Sequence, residues 1–395
     1  MRLVSPALRR RWLLPLCMFT STFAWSFVFV SLPFHIQRVS TVDSAATLRW
    51  TGWILGVSSL VTVATSPLWG RLAERFNPKT LYVWIELLQG AGFFVMALAR
   101  TLPELFLSRL LLGVMGAAST FAFIIAGSRG GDVRRAISEI QSAMTVAGVI
   151  GPLAGALVAA RIGFRPSFVA GGILLCGCAV LVWRMVDRPE RAAGLAARAG
   201  SVPPGEIATV CLLVLAGSVH VFFLTAILPQ VLLGLGVPSS ETLHAAGLVI
   251  FVSGLAAALG SLAAPRLAEL VGDRRAVLWL LAASSLLLAG HALAPEVWSF
   301  GALRFVQVLA IAPVFPLSVA AIAQRASGRV IGIVNSSRIA AAFIGPVAAT
   351  TLLSWLSPAG VYLILGASGL AVVPLLARAG QRAAAAAARA EVAVR

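Results

Sequence analysis

The chain has 395 residues, of which 59% are hydrophobic and only 11% are charged. A soluble domain carries about 25% charged residues, so this composition excludes a water-soluble fold. The mean hydropathy of +0.95 agrees with that exclusion. A net charge of +17 would suggest nucleic acid in a soluble protein, but the positions of the basic residues point to a different origin.

Continuous apolar runs of the length that crosses a bilayer, about 20 residues, recur along the whole chain. Strands of a transmembrane barrel would alternate apolar and polar residues instead. The first run follows a basic stretch, but it is too long for a signal peptide and no cleavage site follows, so we expect it to be retained. We predict an all-α membrane protein with twelve transmembrane helices, called spans 1 to 12, at residues 13–34, 51–69, 80–99, 103–127, 140–160, 166–186, 207–233, 243–264, 276–294, 298–324, 330–356 and 361–379.

The basic residues lie mainly in the two tails and in alternate loops. The other loops hold only Arg38, Arg49, Arg100, Arg161 and Arg165. This positive-inside distribution predicts that both termini are cytoplasmic, and it explains the net charge without a nucleic-acid partner. The cysteines have no ligand spacing and predict neither an exported disulfide nor a metal or cofactor site; they are Cys17, Cys176, Cys178 and Cys211.

An internal repeat divides the chain. The tetrapeptide Arg-Leu-Ala-Glu stands at 71–74 and again at 266–269, 195 residues later. Further pairs at nearly the same offset are Arg109 with Arg304, Gly151-Pro152 with Gly345-Pro346, and Pro33 with Pro229. The repeat predicts two parallel six-helix halves, at 1–186 and 207–379, joined by a cytoplasmic linker at 187–206 and followed by a cytoplasmic tail at 380–395.

Twelve helices in two parallel halves resemble the major facilitator superfamily, and three motifs match it. "GRLAERFNPKTL" from Gly70 resembles the signature G-x-L-A-D-R-x-G-R-K-x-x-L between helices 2 and 3. Arg109 with Gly113 and Gly116 resembles the helix-4 signature. "GVIGPLAG" resembles the helix-5 signature of the antiporter branch, so the chain is most similar to bacterial twelve-helix drug:proton antiporters. Asn77 replaces a motif glycine, and we expect it to keep the tight turn by tolerating a left-handed backbone.

The resemblance implies that Glu74 faces the start of span 11 and that Glu269 faces the start of span 5. Each half would then hold the other at the cytoplasmic face, and a simple turn with topogenic charge is the alternative. The predicted conformational latch comprises Gly70, Arg71, Glu74, Arg75, Lys79, Arg266, Glu269 and Arg338.

The glycine–proline segments of spans 5 and 11 predict a hinge with close helix contact, because proline bends a helix and glycine lets helices approach in lipid. A packing kink without a gating role is the alternative. The hinge residues are Gly151, Pro152, Gly155, Gly345 and Pro346.

Ionisable side chains inside a span indicate function. Arg109 and Arg304 are candidates for coupling, with snorkelling to the interface as the alternative, and we expect Gly113 and Gly116 to leave room beside the Arg109 guanidinium. Glu86 is the only carboxylate well inside a span and is a candidate proton carrier, with a structural ion pair or an interfacial position as the alternative. His220 lies 195 residues after Trp25, at the equivalent position of the repeat. The resemblance implies that spans 1 and 7 face each other across the cavity, so we predict that the two residues form a substrate or proton site there. A histidine bonded to a carbonyl is the alternative.

Aromatic and apolar side chains dominate the predicted substrate cavity, with few amides. The candidates are Trp25, Phe29, Phe34, Phe121, Gln230, Gln307 and Phe315. A sugar carrier would need more hydrogen-bonding groups.

The sequence therefore predicts a secondary active exporter of amphipathic drug-like compounds, working by proton antiport and alternating access. We expect it in the inner membrane, functional as a monomer, with protons, lipid and a small-molecule substrate as its partners and with no cofactor. The alternatives are an exporter of one endogenous metabolite or siderophore, and a non-transporting sensor on the same scaffold. No phosphate-cradling loop or catalytic triad indicates an ATP-driven pump or an enzyme.

Overall fold

A computed structural model describes residues 6–116, 118–128, 133–186, 202–323 and 328–374. Throughout this part of the chain the regular secondary structure is helical. The helices are α1 (Pro6–Phe29), α2 (Leu32–Val39), α3 (Ser44–Arg75), α4 (Pro78–Leu98), α5 (Leu102–Val114), α6 (Ala118–Ser128), α7 (Val133–Ile162), α8 (Phe164–Met185), α9 (Pro204–Phe222), α10 (Leu224–Gly234), α11 (Thr242–Val271), α12 (Asp273–Gly290) with a short 3₁₀ turn at His291–Leu293, α13 (Val297–Ile311), α14 (Val314–Ala323), α15 (Gly328–Leu353) and α16 (Pro358–Pro374).

The predicted spans are confirmed in number and order. Within the described residues, eleven segments are long and apolar enough to cross a membrane, and Pro358–Pro374 is a shorter apolar helix at the position of span 12. Most segments extend beyond the predicted bounds; the second, for example, covers Ser44–Ala73 where the sequence predicts 51–69. The end of predicted span 12, beyond residue 374, lies outside the described part.

Four spans that the sequence predicts as single runs are each built from two helices. Span 1 consists of α1 and α2, span 4 of α5 and α6, span 7 of α9 and α10, and span 10 of α13 and α14. Pro33 lies in the first turn of α2, where proline's missing N–H costs no helical hydrogen bond. By contrast, Pro152 and Pro346 lie inside the unbroken helices α7 and α15. The interruptions therefore fall in spans 1, 4, 7 and 10, and the predicted hinge helices remain continuous.

Polar caps start several helices at the membrane boundary. Asp43 accepts from the Ala46 backbone N–H at 2.8 Å at the start of α3, and the Thr101 hydroxyl caps α5. Asn77 accepts from the Lys79 N–H at 2.9 Å, with φ −64° and ψ 121°. The expectation of a left-handed Asn77 is therefore wrong: its amide caps α4 from extended backbone. At the equivalent place in the second repeat, Gly272 has φ +82°.

The chain forms two compact units. Unit 1 comprises Met1–Leu195 and Thr225–Gly254, and unit 2 comprises Ala196–Leu224 and Leu255–Arg395. In unit 1, α1 packs on α7 and on α8, α4 on α8, and α3 on α5; in unit 2, α9 packs on α15 and α12 on α13. The pairing of α1 with α7 corresponds through the repeat to that of α9 with α15.

The units do not coincide with the predicted halves, because α10 and the first part of α11 belong to unit 1. Glycines explain this packing. A Cβ on Gly247 would lie 2.5 Å from the Cβ of Ala156, and a Cβ on Gly254 would lie 3.1 Å from the Cα of Val149. The first part of α11 thus lies directly on α7. The two halves remain a prediction, and the linker from residue 187 to 201 and the tail lie outside the described residues.

Candidate functional site

Arg109 is the centre of a buried polar site in unit 1. Its side chain is 3% exposed, although it lies in the middle of an apolar helix, α5. Nε donates to the Ile54 carbonyl at 3.2 Å, and Nη2 donates to the Leu55 carbonyl at 3.1 Å and to the Ser58 hydroxyl at 2.6 Å. These contacts point into the protein, so the geometry favours an interior role over snorkelling. Charge-assisted bonds of this kind are about twice as strong as neutral ones.

The glycines that follow Arg109 serve a different purpose from the one expected. A Cβ on Gly113 would lie 2.6 Å from the Ser58 carbonyl oxygen, and one on Gly116 would collide with the Thr62 side chain. The expected room beside the guanidinium is therefore occupied by α3. This close approach is what brings the carbonyls of α3 within reach of Arg109.

Aromatic rings complete the Arg109 site. The guanidinium carbon lies 5.1 Å from the centre of the Trp25 ring and 5.9 Å from that of Phe29, within the range of cation–π attraction. The Trp25 indole N–H donates to the Gln89 side-chain oxygen at 2.8 Å. Spans 1, 2 and 4 thus meet at one cation, and span 3 is joined to it through the bond between Trp25 and Gln89.

Arg304 holds the corresponding position in unit 2 and is 1% exposed. Nη1 donates to the His220 carbonyl at 2.8 Å and to the Gln307 side-chain oxygen at 2.6 Å, and Nη2 donates to the Val221 carbonyl at 2.9 Å. The guanidinium also lies 5.4 Å from the centre of the Phe223 ring, at the break between α9 and α10. Arg304 therefore binds the end of α9, where backbone carbonyls lack helical partners.

His220 is buried inside unit 2, within a chain of hydrogen bonds. Its Nδ1 lies 3.2 Å from the Ser284 hydroxyl and its Nε2 lies 3.4 Å from the Leu365 carbonyl. Because that carbonyl can only accept, Nε2 carries the proton and Nδ1 accepts from Ser284. Gln307 donates to the same hydroxyl at 2.7 Å. The chain is complete with a neutral imidazole, so the geometry favours a histidine bonded to a carbonyl over a free cavity group facing Trp25.

The two arginine sites match through the internal repeat. Trp25 bonds to Gln89, 64 residues later, and His220 bonds to Ser284, also 64 residues later. The first bond joins span 1 to span 3, beside Arg109 of span 4. The second joins span 7 to span 9, beside Arg304 of span 10. Gln89 and Ser284 were missed by the sequence analysis. The offset of 195 residues between them was the signal that could have found both.

Glu86 lies on α4 one turn before Gln89. It is 0% exposed, and neither carboxylate oxygen has a hydrogen-bond partner. Within the described residues Glu86 therefore forms no ion pair, and the predicted alternative of a structural ion pair is not observed.

The span-5 motif forms a close seam with span 1. A Cβ on Gly151 would lie 2.7 Å from the Cβ of Ser26, and a Cβ on Gly155 would overlap the carbonyl oxygen of Phe27. In span 11 the contact is looser, since a Cβ on Gly345 would lie 3.1 Å from the Phe223 nitrogen. The glycines of span 5 thus act as close-packing residues, while Pro152 leaves its helix unbroken.

The predicted latch residues lie at helix ends. Arg71 and Arg75 are exposed near the end of α3, Lys79 is half-buried at the start of α4, and no atom lies within 4 Å of a Cβ placed on Gly70. In unit 2, Arg266 and Glu269 are exposed, and the Arg338 guanidinium lies 5.0 Å from the centre of the Phe315 ring. The side chain of Glu74 lies outside what the structure describes. The latch remains a prediction.

The predicted cavity residues separate into two groups. Trp25, Phe29, Phe34, Gln230 and Phe315 are half-buried. Phe121 and Gln307 are fully buried: Phe121 packs edge-on against Trp69 and Gln307 is bonded to Arg304 and Ser284. The structure therefore does not place these two at a cavity wall, because an apolar cluster and a polar network enclose them.

An apolar groove of about 380 Å³ lies on unit 1 between α1, α7 and α8. Trp12 and Leu16 are about half exposed beside it. Its lining comprises Trp12, Leu13, Pro15, Leu16, Phe19, Ala143, Leu181 and Met185. None of these side chains is charged, so the groove can accept hydrocarbon or aromatic groups. All four cysteines are free, and the described residues contain no cluster of metal-ligating side chains.

The long apolar spans define a multi-pass membrane protein. The model of the Major Facilitator Superfamily matches residues 14–240 and 210–393, and the chain belongs to this family. It is similar to the Multidrug resistance protein MdtG of Citrobacter koseri, 24% identical over 326 residues that cover 78% of each chain. It is also similar to the uncharacterized MFS-type transporter YuxJ of Bacillus subtilis, 26% identical over 80% of this chain and 83% of that one.

Solved structures share the fold. The nucleoside transporter NupG superposes with a TM-score of 0.73 at 12% identity, covering 93% of this chain and 98% of the other. The human organic anion transporter MFSD10 (TETRAN) superposes with a TM-score of 0.69 at 17% identity, covering 94% and 100%. At these identities the likeness concerns the architecture alone.

Proposed function

We propose that the chain is a secondary active exporter of amphipathic drug-like compounds, driven by proton antiport through alternating access. The observation that carries the proposal is the seam between α1 and α7. Gly151 and Gly155, in the motif that resembles the antiporter signature, bring α7 against the backbone of α1 at Phe27. Such contact through small residues allows two membrane helices to pack without a gap, as a closed side of a transport pathway requires.

Two observations support the substrate class. Several relatives of this chain carry the name multidrug resistance protein. The uncharged groove between α1, α7 and α8 has a volume of about 380 Å³, which falls in the range of pockets for drug-sized molecules. It lies in the part of α1 next to the basic N-terminal stretch, which the positive-inside distribution assigns to the cytoplasmic leaflet. An amphipathic compound dissolved in that leaflet could enter there.

Orientation and energy source follow from the same proposal. The arginine distribution supports cytoplasmic termini in an inner membrane, so export moves substrate away from the cytoplasm. The proton gradient across that membrane is directed inward and can drive the exchange. Proton antiport is therefore the coupling that we propose.

Efflux of a fluorescent cationic dye tests this function directly. Cells expressing the protein are loaded with dye, and the loss of fluorescence is followed with and without a proton uncoupler. We expect faster efflux than in cells without the protein, and loss of that difference when the uncoupler is added. Efflux that is equally fast in both kinds of cell would contradict drug export, and uncoupler-resistant export would contradict proton coupling.

The latch gives a second test. We expect Glu74→Gln to reduce dye export strongly while expression and insertion stay normal. A glutamine lacks the negative charge that can interact with a helix N-terminus, and this interaction contributes about 0.3–1 kcal/mol. The matched control is Glu104→Gln, which removes an exposed acid in the first turn of α5. Export at the wild-type rate by Glu74→Gln would remove the latch from the mechanism.

A further inference from the structure

Glu86 lies in a closed pocket between three helices of unit 1. Ser21 faces the carboxyl from α1, Tyr82 comes from α4 itself, and Cys176 and Cys178 come from α8, while Cys17 of α1 lies beside Tyr82 and Cys178. One turn after Glu86, a Cβ on Gly90 would lie 2.6 Å from the Cys176 sulfur. Helix α8 therefore lies close against α4 at this depth, and the carboxyl is 0% exposed.

Two polar neighbours of Glu86, Tyr82 and Cys178, have other partners. The Tyr82 hydroxyl donates to the Met18 sulfur at 3.1 Å, and the Cys178 thiol donates to the Cys17 carbonyl at 3.2 Å. The Ser21 hydroxyl lies beside the carboxyl without satisfying it, since neither oxygen has a partner of hydrogen-bond geometry. The titratable groups that face the carboxyl from α1, α4 and α8 are the tyrosine and the cysteines, and none of them is a cation.

An ionised carboxylate cannot remain in such a pocket without a large penalty. The effective cost of burying an unpaired ion in a protein is several kcal/mol, whereas a neutral carboxylic acid costs much less. The closed arrangement therefore requires a proton on Glu86. Hard metal cations take six or more oxygen ligands, which the thiols and the two hydroxyls around Glu86 cannot supply.

The internal repeat shows that the fold does not need an acid here. The positions 195 residues after Glu86, Ser21, Tyr82 and Cys178 are Leu281, Ala216, Val277 and Val373. In unit 2 these four residues belong to one apolar cluster, where Leu281 is 0% exposed. The same place in the repeated architecture is thus filled by leucine in one unit and by an unpaired carboxyl in the other. A packing role alone does not explain the carboxyl.

Glu86 is also linked to the Arg109 site. Glu86 and Gln89 lie on one face of α4, and Ser21 and Trp25 lie on one face of α1, since residues three or four apart are neighbours on a helix. Ser21 faces Glu86, and Trp25 bonds to Gln89. A shift of α1 along or away from α4 would open the carboxyl pocket and break the tryptophan bond in the same movement.

We propose that Glu86 is the proton-binding carboxyl of this transporter. It carries a proton while α1, α4 and α8 close around it, and it gives the proton to water when α1 moves and the pocket opens. An O–H bond forms with a proton taken from water on one side of the membrane and breaks to water on the other side. The inference rests on the proton-driven export proposed above and names the group that performs it.

Transport in proteoliposomes tests the proposal with dye as the substrate and an imposed pH gradient. With about one pH unit across the membrane, exchange for one proton sustains about a tenfold dye ratio, because one pH unit is a factor of ten in proton activity. We expect the wild type to approach this ratio and Glu86→Gln and Glu86→Leu to equilibrate dye without accumulating it. Glu86→Asp should retain part of the coupling. The control is Glu104→Gln, which removes an exposed acid at the start of α5 and should behave as the wild type.

The outcomes separate the two proposals. If the wild type moves dye independently of the pH gradient, proton-driven export and the role of Glu86 are both overturned. If the wild type depends on the gradient and Glu86→Gln accumulates dye equally well, Glu86 is not the proton carrier while proton-driven export stands.

A readout on the wild type avoids any folding defect of a variant. A protonated carboxyl has an infrared C=O stretching band that a carboxylate lacks. We expect this band in purified protein near pH 7, where exposed glutamates with a pKa of about 4.3 are ionised. Its absence would overturn the proposal even if no variant folds.

Discussion

Replacing Gly155 with alanine is expected to abolish dye export, and replacing the nearby Gly148 in the same way is expected to have no effect. The difference follows from what each new methyl group would meet. At Gly155 the Cβ would overlap the backbone carbonyl of Phe27, whereas at Gly148 no atom lies within 4 Å of it. Both residues lie on α7, so the two variants share any change in helix propensity.

A backbone carbonyl cannot yield as the end of a flexible side chain can. Alanine at residue 155 therefore forces α1 away from α7, and overpacking of this kind costs about 1–3 kcal/mol in well-packed interiors. Gly151→Ala should have an intermediate effect, because its Cβ would lie 2.7 Å from the Cβ of Ser26, a side-chain atom. The expected order of export rates is thus Gly148→Ala, then Gly151→Ala, then Gly155→Ala.

Export rate per inserted molecule is the measurement, with surface expression and thermal stability recorded for each variant. A Gly155→Ala protein that inserts normally and exports at the wild-type rate would show that the close seam is not required for transport. A uniform loss in all three variants would instead indicate that α7 tolerates no added side-chain bulk, and the expected order of export rates would be wrong.

The sequence predicts the spans well because the physical signal is strong. A run of about 20 apolar residues has few alternatives to a helix in lipid, where backbone groups must be satisfied within the segment. The breaks in spans 1 and 10 lie beside prolines, Pro33 and Pro313, but the break in span 7 gives no comparable signal, since Phe223 at the end of α9 is as apolar as its neighbours. Such an interruption depends on tertiary partners, here the bonds from Arg304 to the His220 and Val221 carbonyls.

The sequence identifies the residues of the candidate site by their type, but it does not predict which residues they bond to. Arg109, Glu86 and His220 stand out because charged or ionisable groups are rare inside spans. Which way each side chain points depends on helix rotation, and the sequence does not determine rotation for helices that are apolar on every side. His220 therefore bonds to Ser284 within its own unit, and Phe121 is buried against Trp69. At Asn77, too, residue type alone does not determine the local structure, because asparagine suits both a left-handed turn and an N-cap.

Arg109→Ala is expected to abolish uphill export while leaving slow downhill equilibration of dye. The guanidinium of Arg109 joins the Ile54 and Leu55 carbonyls and the Ser58 hydroxyl of α3 to the Trp25 ring of α1. Removing the guanidinium leaves the Ser58 hydroxyl and the Trp25 ring without the cation that both of them contact. Spans 1 and 2 then lose their common partner, so we expect their movements to become independent of each other and transport to become uncoupled.

Arg109→Lys should restore only a minor part of the uphill activity. An ammonium group can supply the charge near Trp25, but it is a compact point charge on a flexible stem and cannot reproduce the planar fork of a guanidinium. Nε and Nη2 of Arg109 bond to separate groups, at 3.2 Å, 3.1 Å and 2.6 Å. The lysine variant is therefore expected to lie between the wild type and alanine, closer to alanine.

The measurement is dye accumulation in proteoliposomes with and without a pH gradient, for the wild type, Arg109→Ala and Arg109→Lys. Arg161→Ala is the matched control, because it removes an exposed arginine at the end of α7 and should leave both modes of transport unchanged. Uphill accumulation at the wild-type level in Arg109→Ala would show that the guanidinium only stabilises the fold. Loss of downhill movement as well would place Arg109 in the transport pathway itself, because uncoupled substrate could then no longer cross.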